Sequence, residues 1–164
     1  MGLSVSVFGL GYVGSVSAAC FASMGHKVIG VDVSRAKVET MDAGRTPIIE
    51  ARMAEMVGEA HRSGLLRATS DATSAVVNSE VSFVCVGTPS LKNGKLDLSH
   101  IEHVAREIGA AIRQKNSPHV FVLRSTVLAG TTETVVLPIL EKESGKKCGQ
   151  DFTVCYNPEF MREG

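Results

Sequence analysis

Ser4-Val5-Ser6-Val7-Phe8-Gly9-Leu10-Gly11-Tyr12-Val13-Gly14, with Lys27-Val28-Ile29-Gly30-Val31-Asp32 close behind it, is the stretch that decides the fold. Residues 4–8 read as a buried strand and 9–14 as a tight glycine turn. Residues 15–24 read as a small-residue helix stopped at Gly25, and 27–31 as a second strand that delivers Asp32. In this order each glycine has its own task. Gly9 permits the sharp turn, Gly11 lets backbone approach a diphosphate, and Gly14 lets helix and strand pack closely. The diphosphate would rest on the helix N-terminus, where unpaired N–H groups and the helix dipole favour an anion. Asp32 would accept hydrogen bonds from the adenosine ribose, and its charge would repel a 2′-phosphate, which favours NAD over NADP. Arg35 and Lys37 lie close enough in sequence to serve a phosphate instead.

Outward from this unit the chain keeps alternating. Ser34 can cap a helix to about residue 43, closed by Gly44, and a second amphipathic helix runs over 52–62 to Gly64. A short third strand is expected at 65–69. Asp71 caps a short helix, and the nearly all-apolar 81–86 has the character of a strand buried on both faces of a parallel sheet. After Gly87-Thr88-Pro89 and a polar loop over 90–97, the spacing of Ile101, Val104, Ala105, Ile108 and Ile112 predicts a helix over 99–113. Strand five (120–123) ends in Arg124-Ser125-Thr126. A helix over 131–143 is interrupted or kinked at Pro138, and 152–156 forms strand six. Six strands alternating with helices are the full count of an α/β, doubly wound Rossmann fold: a mainly parallel six-stranded sheet with helices on both faces. The 164 residues are expected to form one such domain.

Composition narrows the function classes. Seventeen basic and seventeen acidic residues cancel, so no net field draws the chain to nucleic acid or to an anionic membrane. The longest apolar runs are of strand length, far below a membrane span. Cys20, Cys85, Cys148 and Cys155 lack paired spacing, and His100 with His103 has no third ligand in view, so no metal is expected and the two histidines read as a solvated helix face. Cys20 and Cys85 read as small hydrophobes, and the absence of targeting signals suggests a cytoplasmic setting.

Ligands of such sheets bind beyond the carboxyl ends of the strands. The candidates there are the glycine turn, Asp32, Thr88, Thr126 and Glu159. The two threonines offer hydroxyls to the nicotinamide side, or cap helices. Glu159 offers a carboxylate that could act as a general base or orient a water, or lie on the surface.

Taken together, Phe8-Gly9-Leu10-Gly11-Tyr12-Val13-Gly14, Gly30-Val31-Asp32, Cys85-Val86-Gly87-Thr88-Pro89, Arg124-Ser125-Thr126-Val127 and Tyr156-Asn157-Pro158-Glu159-Phe160 with Arg162-Glu163 resemble the nucleotide-sugar 6-dehydrogenases. The stretches 85–98 and 101–109 are most similar to the GDP-mannose branch, with the UDP-glucose branch as alternative. The resemblance implies oxidation of a sugar C6 alcohol to a carboxylate with two NAD, through a cysteine thiohemiacetal and thioester that is then hydrolysed. In the GDP-mannose branch the product, GDP-mannuronate, serves alginate-type polysaccharide synthesis.

Carried over by motif, Tyr12 and Val13 would present amides to the diphosphate, and Asp32 with Lys37 would contact the ribose. Thr88 and Thr126 would flank the cofactor, Thr126 also orienting a water. Glu159 would assist hydrolysis, and the backbone of Phe160 and Met161 would begin the sugar-binding loop. The family's nucleophilic cysteine, its lysine, a central dimerising helix and the nucleotide-sugar domain lie downstream of this region. The chain alone is therefore expected to bind NAD without turnover, and the full-length enzyme to be a homo-oligomer through that helix. The family's usual Glu-Pro-Gly-Leu reads Glu50-Ala51-Arg52-Met53 here, which leaves that loop's geometry open. Two rivals share the glycine turn: a 3-hydroxyacid dehydrogenase relative and a free-standing NAD-sensing module.

Overall fold

A computed structural model describes residues 2–161. β1 (Ser4–Phe8), β2 (Lys27–Val31), β3 (Leu66–Thr69), β4 (Val81–Val84), β5 (His119–Leu123) and β6 (Phe152–Tyr156) form one sheet in the order β3-β2-β1-β4-β5-β6. All five pairings are parallel, with β1 between β2 (Val7 opposite Gly30) and β4 (Val7 opposite Phe83). Strand order reverses at β1 and β4, which opens a crevice at their carboxyl ends.

Side-chain alternation divides the core. Val5, Val7 and Val28 pack with α1 (Tyr12–Ser23), α2 (Arg35–Asp42) and α3 (Met53–Arg62) on one face. Phe8, Ile29, Val31 and Phe121 pack with α4 (Ala72–Val77), α5 (Ser99–Ile112) and α6 (Leu137–Ser144) on the other. α1 carries Ala18, Ala19 and Ala22 at its buried positions, so it lies close to the sheet. Gly14 shows how close: a Cβ there would stand 1.8 Å from the Gly9 carbonyl oxygen.

The departures from the sequence reading have local causes. α1 starts at Tyr12 rather than at 15, because the glycine turn itself supplies the first helical residues. β4 ends at Val84, and 85–89 leave the sheet toward the crevice. Pro138 lacks the N–H that a regular helix would offer to the Thr134 carbonyl. The interruption therefore falls just before the proline, as a π-helical turn over Thr132–Val136. Ser34 sits at the N-cap of α2 but its side chain makes no cap bond, whereas Asp71 accepts a hydrogen bond from the Ser74 amide, 2.9 Å, at the start of α4. Cys20 is exposed on α1, not buried as a small hydrophobe. Arg52 adopts φ 64°, so the loop keeps a left-handed residue where the family's usual sequence has glycine.

The opposite, amino-terminal end of the sheet holds a buried polar chain. The Lys115 ammonium donates to the carbonyls of Val76 and Ser79 and lies 3.1 Å from His119 Nδ1. An ammonium can only donate, so Nδ1 accepts and the ring is neutral with its proton on Nε2. That nitrogen is 2.8 Å from Ser82 Oγ, which in turn is 2.7 Å from Ser6 Oγ. Burial first, and the Lys115 charge second, push the His119 pKa down to about 4.

Candidate functional site

The crevice is organised by Asp32. Its side chain, 7% exposed, accepts the Leu10 amide at 2.7 Å through Oδ2 and the Ser34 amide at 2.8 Å through Oδ1. The carboxylate thereby ties the end of β2 to the middle of the glycine turn. Lys37 Nζ stands 3.4 Å from Oδ2. Gly9 takes φ 92°, and a Cβ there would meet the Cys85 carbonyl at 3.0 Å. Gly11 faces open space, with nothing within 4 Å of a notional Cβ. It is the N-cap of α1, whose first turn holds no acidic side chain. The amides of Tyr12, Val13 and Gly14 therefore begin a helix whose own first turn carries no acidic side chain, a setting suited to an anion. The Tyr12 hydroxyl donates to Glu50 Oε2 at 2.9 Å, bringing the Glu50 loop to the edge of the crevice.

Two adjoining hollows share Gly9, Asp32, Val33, Val86 and Val104. The larger, about 750 Å³ including its mouth, runs past Gly11, Lys37, Gly87 and Pro89 to His100 and His103. The smaller, about 410 Å³, is walled by Phe8, Val31 and Ala72 and bounded by Ser70 and Glu107. An anion-accepting helix end, a carboxylate at the crevice centre and an apolar hollow beyond it fit a dinucleotide: diphosphate, ribose diol and base in turn.

On the other side of the crevice Thr88 Oγ1 donates to the Thr126 carbonyl at 2.7 Å, and Ser125 Oγ donates to the Val86 carbonyl at 2.7 Å. The threonines are thus brought together rather than spent on helix caps. Glu159 Oε1 accepts the Met161 amide, closing the end of the described chain on itself. Arg124 Nη1 donates to Asn157 Oδ1 at 3.0 Å and braces that segment, while Phe160 is 89% exposed. Arg162 and Glu163 lie outside the described residues. Burial pushes the Cys85 thiol up to about 12; Arg124 offsets part of this and Glu159 adds to it. Cys85 is therefore an inert core thiol.

The reading from sequence did not place His100, His103 or Glu107 at the crevice. Both histidines are exposed, as a solvated face requires, but they also line the larger hollow, and His100 Nδ1 lies 3.2 Å from the Gly87 carbonyl. Their spacing, three and four residues apart, places one side of α5 toward the crevice, and that was the available signal.

Residues 3–164 match the NAD binding domain of the UDP-glucose/GDP-mannose dehydrogenase family. The chain belongs to that family. It is 53% identical over 161 residues to GDP-mannose 6-dehydrogenase of Pseudomonas aeruginosa, covering 98% of this chain and 37% of that protein. The crystal structure of a ternary complex of GDP-mannose dehydrogenase from that organism superposes with a TM-score of 0.96, again over 98% and 37% of the two chains. A UDP-glucose dehydrogenase from Pyrobaculum islandicum follows at 0.93, 44% identical, over 100% and 37%. The chain thus spans little more than a third of the proteins it matches, and corresponds to their NAD-binding part. Family membership sets aside the 3-hydroxyacid dehydrogenase reading. Among the described residues no helix is long and apolar enough to cross a membrane.

Proposed function

We propose that this domain serves a GDP-mannose 6-dehydrogenase that oxidises the sugar C6 alcohol to a carboxylate in two NAD-dependent steps. The observation that carries the cofactor half of this reading is the Asp32 carboxylate fixed 2.7 Å from the Leu10 amide, beside a helix N-terminus whose first turn holds no acidic side chain. The 53% identity to a GDP-mannose enzyme, against 44% to a UDP-glucose enzyme, favours the GDP-mannose branch. NAD held here supplies the hydride acceptor.

In this assignment Gly9, Gly11 and Gly14 shape the turn and the amides of Tyr12 and Val13 bind the diphosphate. Asp32 and Lys37 hold the ribose. Thr88 and Thr126 flank the nicotinamide, and Thr126 also orients a water for the hydrolytic step that Glu159 assists. The backbone of Phe160 and Met161 begins the sugar-binding loop. The nucleophilic cysteine and lysine, the nucleotide-sugar domain and the helix that joins copies of the full-length enzyme belong to the downstream portion. The setting is the cytoplasm, where the cofactor and nucleotide sugars reside.

The test is a calorimetric titration of the 164-residue chain with NAD, then NADP, then GDP-mannose added to the NAD-saturated protein. NAD binding alone is the expected outcome. A stoichiometric signal from GDP-mannose would show that the substrate site lies mostly within this domain and would overturn the assignment of its reading to the downstream portion.

A further inference from the structure

The smaller hollow beside Asp32 has a composition that selects a base. Its walls are apolar: Val33, which is 87% exposed at the mouth, with Ala72, Val86 and Val104. Beyond Asp32, the residues with polar side chains that border it are Ser70 and Glu107. Glu107 projects from α5 with its side chain partly exposed, and His103 Nε2 lies 3.7 Å from its Oε2, beyond hydrogen-bond distance. An ionised carboxylate only accepts hydrogen bonds. At the rim of an apolar slot it therefore favours a flat ring that turns a donor toward it and disfavours one that turns an oxygen toward it.

We propose that Glu107 reads the base of the dinucleotide, accepting a hydrogen bond from the exocyclic 6-amino group of adenine while Val33 and Val104 cover the ring. The inference rests on the NAD reading above and deepens it. The glycine turn and Asp32 recognise diphosphate and ribose, which all dinucleotides of this type share, whereas Glu107 distinguishes a 6-aminopurine from a 6-oxopurine. In hypoxanthine the amine becomes a carbonyl oxygen, which the carboxylate repels. A site built around a polar partner rejects the analogue lacking it more strongly than a purely apolar pocket can.

The probes are NAD and nicotinamide hypoxanthine dinucleotide, alike except at position 6, titrated calorimetrically into the wild-type chain and into Glu107→Gln and Glu107→Ala. The wild type should bind NAD about tenfold or more tightly than the hypoxanthine analogue, as expected for a hydrogen bond to a charged group. Glu107→Gln should bring the two within about threefold, because its amide can present either a donor or an acceptor. Glu107→Ala should also lose the preference, by weakening NAD rather than strengthening the analogue. Equal binding of both dinucleotides by the wild type, or a preference that survives in Glu107→Ala, overturns the role of Glu107 and leaves the NAD reading intact. If neither dinucleotide binds the wild type, the NAD reading itself falls, and this proposal with it.

Discussion

Gly11 and Gly14 stand three residues apart in one turn, yet replacing each with alanine should damage different properties. A Cβ on Gly14 would lie 1.8 Å from the Gly9 carbonyl oxygen and 3.0 Å from its carbon. Both are backbone atoms, so no rotamer change relieves the clash. Reaching even 3.0 Å requires α1 to move by about 1.2 Å away from a turn that Asp32 holds through Leu10, in a core too densely packed to absorb it. Overpacking typically costs about 1–3 kcal/mol, and a rigid contact belongs at the upper end. With a urea dependence of about 2 kcal/mol per molar, Gly14→Ala should lower the unfolding midpoint by about 1.5 M. Gly11 has φ −78° and ψ −162°, open to any residue, and nothing lies within 4 Å of its notional Cβ. Gly11→Ala should therefore stay within about 0.5 kcal/mol of the parent, the small loss of N-cap preference being offset by a stiffer unfolded chain. Its methyl group would stand where the diphosphate must approach backbone, so NAD affinity should fall by about tenfold or more. Urea titrations and NAD calorimetry on both variants check this. An unchanged midpoint in Gly14→Ala, or undiminished NAD binding in a folded Gly11→Ala, would refute the division of labour.

Arg52→Gly should raise stability by about 1 kcal/mol, since it removes a left-handed non-glycine residue whose exposed 3.9 Å pair with Glu55 contributes little. Differential scanning calorimetry should show a melting temperature about 2–4 °C higher, and a decrease would mean that the loop needs the side chain. His119 is neutral when folded, with its pKa near 4 against about 6.5 when unfolded, so the unfolded chain binds the extra proton between those values. Stability should therefore be full above pH 6.5 and fall by up to about 3 kcal/mol as pH drops toward 4. His119→Gln should be less stable at neutral pH but flatter across that window, and an equal slope in the two proteins would exclude His119 as its source. Asp32→Asn removes the charge that opposes a 2′-phosphate while Lys37 stays near, so the ratio of NADP to NAD dissociation constants should shrink about tenfold. An unchanged ratio would place cofactor selection elsewhere.

The sheet was legible because its signals are local and redundant: apolar runs, glycine stops and one acid in register define β1, α1 and β2 without reference to the rest of the chain. The π-helical turn over Thr132–Val136 could be anticipated only as trouble near Pro138, because where a helix yields depends on which carbonyl loses its partner. Lys115 and His119 were not read as buried, since lysine is almost never buried unless its charge is satisfied. Here the carbonyls of Val76 and Ser79, at and just beyond the end of α4, accept from it, and no single stretch of sequence shows that. Glu107 was passed over because what makes it a neighbour of the crevice is Asp32, just past the end of β2 and 75 positions away in the chain, which borders the same hollow.

The two sides of the crevice differ in how they are held, and Arg124 separates them. On the glycine side, a buried carboxylate fixes one backbone amide in the cofactor turn, Leu10, and one just after β2, Ser34. On the far side, the 157–161 segment is anchored by the Asn157 amide on the Leu123 carbonyl and by Arg124, which reaches Asn157 Oδ1 at 3.0 Å and Met161 Sδ at 3.5 Å. Arg124 Nε is buried without a hydrogen-bond partner among the described residues, so the side chain is held there at a desolvation cost. Ser125 and Thr126, though adjacent, are tied to the segment after β4 by the Val86 carbonyl and the Thr88 hydroxyl, independently of Arg124. Arg124→Lys should therefore leave NAD affinity within about twofold while releasing 157–161, seen as faster amide hydrogen exchange confined to that segment. If NAD affinity fell as far as in Gly11→Ala, the two sides would be mechanically coupled through Arg124 rather than independently braced, and Glu159 would be positioned by the same element that holds the cofactor.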